Sequence, residues 1–593
     1  MEHSDRSSLY EGRRAAFSAT LNQVTERIRV ISLARIILAV VLLLALYFSF
    51  NQAAFIYVPV LVFVFVLLVF RHARAFEEKV RLENLVKING QEIAAQKGTF
   101  DELASGAEFI DHHHPYAHDL DLFGEGSVFQ YANRCNTLDG KRRFSGALKS
   151  GLLTAEAIAQ QQQSVRELTE KVDFRQYVAA EGMEIRELPS DRDELRAWLR
   201  SSTILYHKPA MRYVLWVVPA VTIAAVIGAI FFAPLKTVAV LLALSQWAIL
   251  GSCAKKVNVF HDYISKKKYI LDKYARLLHV VAKESFESPQ LRHLSDHARE
   301  AESRVHKLAS LVSALNARLN FMTSAVVNSL LMYDLQCVYR LEKWKADHAS
   351  RLETWLDTVS EMEVLCSWGT FAFNHPGFTY PRIQQELTIS ATALGHPLLR
   401  PDECVTNDVL IGRDQRIQLI TGANMAGKST FLRTIGVNFV LALAGAPVCA
   451  REFACPIAYL RSGMRTADSL KDHQSYFYAE LDRLKSIMDE LRQDKPLLIL
   501  LDEILKGTNS TDKLAGSIAM VKQLVPHPCL ALIATHDLAL GALEKEHPES
   551  VKNFCFEANI ENDQLSFDYK LKTGLAQKMN ATFLMKKMGI IPR

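Results

Sequence analysis

The sequence predicts a multidomain protein with two transmembrane α-helical hairpins, an α-helical core and a C-terminal α/β domain. Three observations carry this prediction: four long apolar stretches, two glycine-poor segments with helical periodicity, and a glycine-rich loop between an apolar run and a helix. The chain has 593 residues, too many for one compact core. Its formal net charge of +5 favours nucleic acid or anionic lipid as a partner only weakly, because an ordinary solvated surface explains it equally well.

Two apolar regions predict the hairpins. Residues 36–70 are interrupted by strongly polar side chains only at Asn51 and Gln52. With the residues just before it, this run is long enough for two spans of about 20 residues joined by a tight turn. The second region, 213–254, is split by a Pro-Leu-Lys turn. Buried core helices are the alternative, but these stretches are too long and too poor in charge to favour it. We expect hairpins at 30–70 and 213–254.

Positive charge flanks both hairpins on the same side. Because excess Lys and Arg stay in the cytoplasm, both hairpins should cross the membrane with their turns on the outer side. We therefore expect a multi-pass protein of the cytoplasmic (inner) membrane, with both termini and the α/β domain in the cytoplasm. The flanking residues are Arg13, Arg14, Arg27, Arg29, Arg71, Arg74, Lys79, Arg81, Lys208, Arg212, Lys255 and Lys256.

The remaining chain divides around the hairpins. A basic segment, 1–29, comes first. Residues 71–212 and 255–390 hold many Ala, Leu, Glu, Lys and Arg at helical spacing, so we expect two parts of one helical core. The stretch 308–344 is typical of packed helix, with its Met and aromatic side chains in the core. The α/β domain then occupies 391–593.

Cysteine and histidine patterns argue against a metal site. The nine cysteines are scattered and include no C-x-x-C pair, which indicates reduced thiols and neither a zinc site nor a disulfide framework. Asp111, His112, His113, His114 and His118 could suggest a metal. However, adjacent histidines on an extended segment point in different directions and no second ligand cluster follows, so we favour no metal there.

The residues TGANMAGKST, 421–430, contain a phosphate-binding motif. Gly422, Gly427, Lys428 and Ser429 fit the pattern G-x-x-x-x-G-K-[ST], after a predicted strand at 417–420 and before a predicted helix. The glycines let backbone N–H groups approach phosphate oxygens, and the helix N-terminus favours an anion. The lysine supplies a charge to the terminal phosphates, and the serine offers a hydroxyl to Mg²⁺.

Two further apolar runs end in groups suited to phosphate chemistry. KPLLILLDEI, 495–504, ends in Asp502 and Glu503, and CLALIATHD, 529–537, contains His536 at its end. The carboxyl ends of parallel strands meet at one edge of a sheet, next to such a loop. We expect Asp502 to hold Mg²⁺, Glu503 to polarise the attacking water and His536 to lie near the γ-phosphate.

These segments resemble a known family. NMAGKSTFLR, LLDEILKGTNSTD and ATHD are similar to the ATPase domain of MutS-type DNA mismatch repair proteins, a branch of the ABC ATPases. His396-Pro397 and Asn407-Asp408 match further family positions. Residues 119–148 resemble the start of the family's core domain, and 570–592 resemble its C-terminal dimerisation helices. The resemblance covers roughly residues 100–593 outside the second hairpin.

The resemblance implies a P-loop ATPase of ABC type that uses ATP and Mg²⁺ and works as a homodimer. Glu503 and His536 would be catalytic, and Ser429 and Asp502 would hold the metal. Ser475, in the signature-like segment 468–481, and Asp512 would reach the nucleotide of the partner subunit. The residues implied to bind nucleotide are Gly422, Asn424, Gly427, Lys428, Ser429, Thr430, Ser475 and Asp512.

Several positions depart from the family pattern. His473 stands where the family has a glycine, and Ala423 and Ala426 replace a proline and a glycine in the loop. Because the replacements in the loop are small, we expect nucleotide binding to survive. No mismatch-reading domain with a Phe-x-Glu reader precedes the first hairpin, no strand-rich DNA clamp is evident, and a membrane hairpin interrupts the core instead. Direct mismatch recognition is therefore not expected.

Two functions follow from these expectations. The first is a membrane-anchored MutS-like ATPase dimer that acts on duplex or branched DNA, as in mismatch repair. The alternative is an ATP-driven membrane machine of ABC type that does not bind DNA. A transporter is disfavoured because the spans carry few polar residues, such as Ser245 and Gln246, and no small-molecule substrate other than ATP is evident.

Overall fold

The computed structural model describes residues 3–49, 58–183, 188, 190–264, 267–316, 318, 321–423, 425–465, 476–505, 509–561 and 564–577. The helices are α1 His3–Ser49, α2 Val58–Gln96, α3 Val128–Ala132, α4 Leu138–Ser150, α5 Ala155–Glu170, α6 Val172–Met183, α7 Asp191–Arg200, α8 Pro209–Phe231, α9 Leu235–Ile264, α10 Lys268–Lys283, α11 Pro289–Asn316, α12 Phe321–Leu331, α13 Tyr333–Asn374, α14 Lys428–Leu443, α15 Tyr476–Leu491, α16 Ser510–Leu524 and α17 Leu543–Glu546. The strands are β1 Arg382–Gln384, β2 Ile389–Leu394, β3 Asn407–Ile411, β4 Ile417–Gly422, β5 Glu452–Pro456, β6 Tyr459–Gly463, β7 Leu497–Asp502, β8 Cys529–Thr535, β9 Val551–Phe556, β10 Ala558–Glu561, β11 Gln564–Phe567 and β12 Lys572–Thr573.

Helices α1, α2, α8 and α9 are long and apolar enough to cross a membrane, by length and composition. They contain the four apolar stretches of the sequence, so the prediction that these stretches are helical is confirmed. The expected turn at Asn51 and Gln52 lies outside the described residues. Helices α8 and α9 pack against each other and are joined by a short turn at 232–234.

The first pair of helices continues well beyond its apolar part. The basic segment, 1–29, is not separate from the hairpin, because α1 runs unbroken from His3 to Ser49. Its polar end is fixed to the core: Tyr10 is 1% exposed, and its hydroxyl donates to Asn374 Oδ1 at 2.9 Å. Further along, Val24 packs on Leu82 and Leu85 of α2. The hairpin is therefore attached to the core through both of its helices.

A buried ion pair strengthens this attachment. Arg134 Nε donates to Glu92 Oε1 at 2.6 Å, and Asn374 Nδ2 donates to Glu92 Oε2 at 2.8 Å. Burial alone would raise the pKa of Glu92, but Arg134 outweighs burial and holds this pKa below its ordinary value. The carboxylate is therefore charged at neutral pH, and it ties α2 to the loop after α3 and to the end of α13.

The segments between the hairpins and the α/β region are mainly helical, as predicted. The stretch 308–344 is helical, as predicted, and is divided among three helices, α11, α12 and α13. Met332 takes a left-handed backbone conformation (φ 50°), which no continuous helix allows. Asn328 stabilises the break, since its Oδ1 accepts from the backbone N–H of Asp334 in the first turn of α13. A side chain competing for backbone donors is a common reason for such a break.

The α/β region contains a six-stranded sheet with the order β12-β9-β4-β8-β7-β6. Strands β9, β4, β8, β7 and β6 are parallel, and β12 pairs with β9 antiparallel. Central strands β4 and β8 are buried along their whole length, as expected for a parallel sheet covered on both faces. A four-stranded sheet, β1-β5-β2-β3, and a hairpin, β10-β11, complete the region, which begins with β1 before the expected boundary at 391.

Sheet register places the expected site residues at one edge. Thr421 of β4 pairs with Thr535 of β8, and Asp502 of β7 pairs with Ala534 of β8. The carboxyl ends of three neighbouring strands therefore meet where β4 leads into α14. The predicted strands at 417–420, 495–504 and 529–537 are all confirmed.

Candidate functional site

The loop between β4 and α14 needs its two glycines. At Gly427 the backbone has φ 99°, a conformation that L side chains rarely adopt, and a Cβ there would lie 3.0 Å from Tyr569 Cδ1. A Cβ at Gly422 would lie 2.6 Å from the carbonyl oxygen of Phe556. The loop therefore closes tightly against β9 and against the segment after β11. Asn424 lies outside the described residues.

Lys428 places a cation inside the curve of this loop. Its side chain is only 5% exposed, and its Nζ donates to the carbonyl oxygens of Gly422 and Ala423 at 2.8 and 2.9 Å. The first turn of α14 presents backbone N–H groups at the same place, with the positive end of the helix dipole. Together they make a cradle for an anion the size of a phosphate group.

Ser429 and Asp502 meet beside the lysine. The serine Oγ donates to Asp502 Oδ2 at 2.6 Å, so the end of β7 is joined to the first turn of α14. A hydroxyl and a carboxylate are hard oxygen ligands, which suit Mg²⁺ bound together with phosphate oxygens. The donor set therefore fits the metal that the resemblance implies.

Glu503 and His536 form a second polar pair at this edge. Glu503 Oε1 lies 2.7 Å from His536 Nε2, and Glu503 Oε2 lies 3.6 Å from Lys513 Nζ. His536 Nδ1 lies 2.9 Å from the carbonyl oxygen of Gly422, which can only accept, so Nδ1 carries a proton. The histidine therefore connects the phosphate-binding loop to the acidic group.

The backbone at Glu503 is strained. Its φ is 58°, which is uncommon for a residue with a side chain, while its N–H donates to the carbonyl oxygen of Ala534 at 2.9 Å. A non-glycine residue in such a region costs about 1–3 kcal/mol, and such strain clusters at functional sites. The bond to β8 holds the acid at the sheet edge, so its carboxylate stays directed toward His536.

A cavity of about 670 Å³ opens over these groups. Its lining contains the lysine, the serine and both acids, together with Leu399, Val405, Phe556 and Tyr569. Burial, with a smaller effect of Arg433, lowers the pKa of His396, which also lines the cavity, to about 4, so that imidazole is neutral at pH 7. Charged groups together with apolar and aromatic side chains suit a phosphorylated ligand that carries a flat base.

The structure brings most of the predicted site residues together. Seven of them line the cavity, and Gly422 contributes its carbonyl oxygen to both Lys428 and His536. Asp512 does not line it, because it lies exposed in the first turn of α16, where Asn509 caps the helix and bonds to it. Ser475 and His473 lie outside the described residues. The seven are Gly427, Lys428, Ser429, Thr430, Asp502, Glu503 and His536.

Sequence reasoning missed two residues that contact this site. Lys513 follows the predicted Asp512 and faces Glu503 from α16. Tyr569 packs on Gly427, and its carbonyl oxygen accepts from Asn407 Nδ2 at 3.1 Å. The sequence marks Asn407 only as a family position, and its side chain also accepts from the backbone N–H of Leu571. No local pattern marks a lysine or a tyrosine for such a role.

Asp119 is a third missed residue, at the junction of the helical core with the sheet. Its carboxylate is completely buried and pairs with Arg483 Nη1 at 3.0 Å. It also accepts from Ser462 Oγ at 2.6 Å and from the backbone N–H groups of Met464 and Arg465 at 3.1 Å each. The acid therefore holds the end of β6 and the middle of α15 in place, on either side of residues 466–475.

A mostly parallel sheet, a glycine-rich loop leading into a helix, and acids at the end of a neighbouring strand together define an α/β domain whose loop suits phosphate binding. The family profile of MutS domain V matches residues 418–592, which include the loop and both acids. This part of the chain is therefore similar to the C-terminal domain of MutS-family proteins.

Curated relatives extend the similarity beyond this domain. The chain is 29% identical over 352 residues to the DNA mismatch repair protein MutS of Myxococcus xanthus (strain DK1622), an alignment that covers 56% of this chain and 36% of that protein. It is 27% identical over 346 residues to the protein of the same name from Thermotoga sp. (strain RQ2), covering 57% and 40%. For a protein of the same name from Thermus thermophilus, the identity is 32% over 236 residues, covering 39% and 28%. The chain thus spans about two-fifths or less of the length of these relatives.

The geometry of the loop generates a prediction about Gly427. Gly427→Ala should weaken ATP binding at least tenfold, because the left-handed backbone penalises a Cβ by about 1–2 kcal/mol and Tyr569 leaves it no space. Gly146→Ala is the matched control, since Gly146 lies exposed on α4 with nothing within 4 Å of its Cβ position. Titration of the detergent-solubilised variants with a fluorescent ATP analogue measures both. Equal affinities would show that the loop tolerates a side chain.

Proposed function

We propose that this chain is a membrane-anchored MutS-type ATPase, which binds and hydrolyses ATP as a homodimer and acts on duplex or branched DNA at the cytoplasmic membrane. The observation that carries the proposal is the convergence of Lys428, Asp502, Glu503 and His536 around one loop. Similarity to MutS domain V and to MutS proteins supports the same reaction class.

Binding of the triphosphate is assigned to the loop and to the first turn of α14. Lys428 would turn from its two carbonyl partners to the terminal phosphates, and Thr430 would add a contact from the exposed side. Mg²⁺ would be held by Ser429 and Asp502, and when bound it supplies positive charge to the phosphate oxygens. The adenine ring would lie against the apolar and aromatic side chains of the cavity, near Tyr569.

Hydrolysis is assigned to Glu503, which would accept a proton from the attacking water. General bases must lie within hydrogen-bond reach of the proton that they remove, and the position of Glu503 at the end of β7 allows this. His536 and Lys513 hold the carboxylate from two sides, which limits its rotation. His536 would then lie on the γ-phosphate side of Glu503.

Two substitutions separate binding from hydrolysis. Lys428→Ala should abolish ATP binding, whereas Glu503→Gln should bind ATP normally and hydrolyse it at least a hundredfold more slowly, because only the base is lost. Glu549→Gln, on an exposed residue away from the cavity, is the matched control. Phosphate release and nucleotide titration measure the two effects. Turnover at the wild-type rate in Glu503→Gln would refute the assignment of the base.

The homodimer is proposed because Asp512, which resembles a partner-contacting position, has no place at this subunit's own cavity. Asp512 is exposed and does not line it. In a head-to-tail dimer, each such residue would complete the site of the other subunit. The family's C-terminal dimerisation element corresponds to 570–592, most of which lies outside the described residues.

Mixed dimers test the shared sites. Combining Lys428→Ala subunits with Asp512→Ala or Ser475→Ala subunits places both defects on one composite site and leaves the other intact. We therefore expect up to about half of the wild-type ATPase activity per mixed dimer, against little in either variant alone. Mixed dimers that form but show no such recovery would contradict the sharing of sites.

Membrane anchoring is supported by the surfaces of α1, α2, α8 and α9. Large apolar side chains on them face outward, including Leu43 at 67%, Ile230 at 76% and Phe231 at 75% exposure. Exposed apolar area costs about 25 cal/mol per Å² in water, so contiguous surfaces of this kind are unfavourable unless lipid covers them. The flanking arginines and lysines favour a cytoplasmic position for the rest of the chain.

DNA binding distinguishes the proposal from the alternative, an ATP-driven membrane machine without DNA. The protein in lipid nanodiscs should bind duplex or four-way-junction DNA. With about four phosphate contacts, its affinity should fall on the order of a hundredfold between about 50 and 200 mM salt. Fluorescence anisotropy measures this, with empty nanodiscs as the control. Absence of salt-dependent binding, with ATPase activity intact, would leave the membrane machine as the function.

A further inference from the structure

Helix α12 buries a polar side chain and exposes an apolar one, which is the opposite of a helix on a water-exposed surface. Asn328 is 3% exposed, whereas Val326, two residues earlier, is 62% exposed. Val327 and Leu330 are partly exposed, and Ser329 bonds to a neighbouring helix. In water, a surface helix buries its apolar face and exposes its polar one. The opposite arrangement is expected where lipid surrounds the helix.

The polar face of α12 packs on the second hairpin. Trp247 Nε1 of α9 donates to Ser329 Oγ at 2.9 Å. The Gln246 amide, completely buried, lies 2.5 Å from the Thr222 hydroxyl of α8. With its oxygen toward that hydroxyl, its nitrogen donates to the carbonyl oxygens of Asn328 and Ser329 at 3.1 and 3.2 Å. Polar groups of α8, α9 and α12 therefore form hydrogen bonds with one another between largely apolar helices.

These contacts lie deep along α9. Trp247 comes twelve residues after Leu235, the first residue of α9, which corresponds to about 18 Å of helix rise. A hydrocarbon core is about 30 Å thick, so with the turn between α8 and α9 at the outer boundary, Trp247 lies inside it. Ser329 is hydrogen-bonded to Trp247 and lies at the same depth.

An ion pair links the chain before α12 to the chain after it. Arg318, before α12, pairs through Nε with Asp334 Oδ2, after α12, at 3.1 Å. Arg318 Nη2 also donates to Asn258 Oδ1 of α9 at 2.8 Å. Asn258 comes 23 residues after Leu235, about 35 Å along the helix, and therefore lies at the inner boundary. Arg318, which precedes α12, therefore lies on this cytoplasmic side, whereas the N–H of Asp334 bonds to Asn328 at the far end of α12.

We propose that α12 is a re-entrant membrane helix, which enters the cytoplasmic leaflet between α11 and α13 and packs its polar face on α8 and α9. With 11 residues, it rises about 16 Å and is too short to cross the bilayer. Its partner is lipid: acyl chains cover Val326, Val327 and Leu330. The inference rests on the membrane anchoring proposed above and extends it to a segment that is too short to count as a span.

Spin labels test this in the full chain reconstituted in phospholipid vesicles. Labels are placed by Val326→Cys on α12, Leu244→Cys on the exposed apolar face of α9 and Ser303→Cys on the exposed face of α11. The half-exposed native cysteines, Cys253, Cys404 and Cys449, are replaced by serine. Power saturation compares accessibility to oxygen, which concentrates in lipid, with accessibility to a water-soluble nickel chelate. Leu330→Cys supplies a second position on α12 if the Val326 variant does not assemble.

We expect the α12 label to behave like the one on α9, with access to the nickel chelate at least fivefold lower than at Ser303. A label on α12 that the chelate reaches as easily as Ser303, with the α9 label still protected, would overturn the re-entrant helix and leave the membrane anchoring intact. Chelate access at both α9 and α12 would overturn the anchoring and the re-entrant helix together.

Discussion

The completely buried carboxylate of Asp119 connects the helical core to the α/β region. Removing one partner of a buried ion pair costs about 3–5 kcal/mol, whereas an exposed pair such as Arg492 and Asp489 contributes about 0–1 kcal/mol. The hydrogen bonds to the Asp119 carboxylate therefore hold Arg483 of α15 and the end of β6 against the core. In addition, Arg433 of α14 donates to the backbone carbonyl of Asp119 at 3.1 Å. The segment of the helical core around Asp119 is thus attached to α14, the helix that begins at Lys428.

Helix α13 extends this connection away from the site. Its 42 residues rise about 63 Å, and its only glycine, Gly369, lies close to the end, with Leu168 3.0 Å from its Cβ position. Near its start, Gln336 Nε2 donates to the carbonyl oxygen of Leu215 on α8 at 2.9 Å. At its end, Asn374 bonds to Tyr10 of α1 and Glu92 of α2. A single stiff helix therefore holds both hairpins to one core.

The sequence predicts those features that depend on local pattern. The apolar spans, the buried strands and the phosphate-binding loop each follow from periodicity or spacing within a few residues, and the loop with Asp502, Glu503 and His536 assembles as predicted because parallel strands end at one edge. The break at Met332 could not be predicted, since it depends on one asparagine that bonds to a later turn. Asp119 and Tyr569 could not be predicted either, because their partners are distant in sequence. Lys513 is near Glu503 in sequence but lies on a different element, and no local pattern links the two.

Bonded polar side chains hold α13 at both of its ends. Along its length the helix buries large apolar side chains, such as Trp355 and Trp368, as a helix of a water-soluble core does. In its first turn it also buries Asp334 and Gln336, which pair with Arg318 and with the α8 backbone. A buried polar side chain is stable only when it is bonded, so these contacts fix the start of α13 to the second hairpin. A shift of α13 along its own axis would have to break these bonds at one end and those of Asn374 at the other.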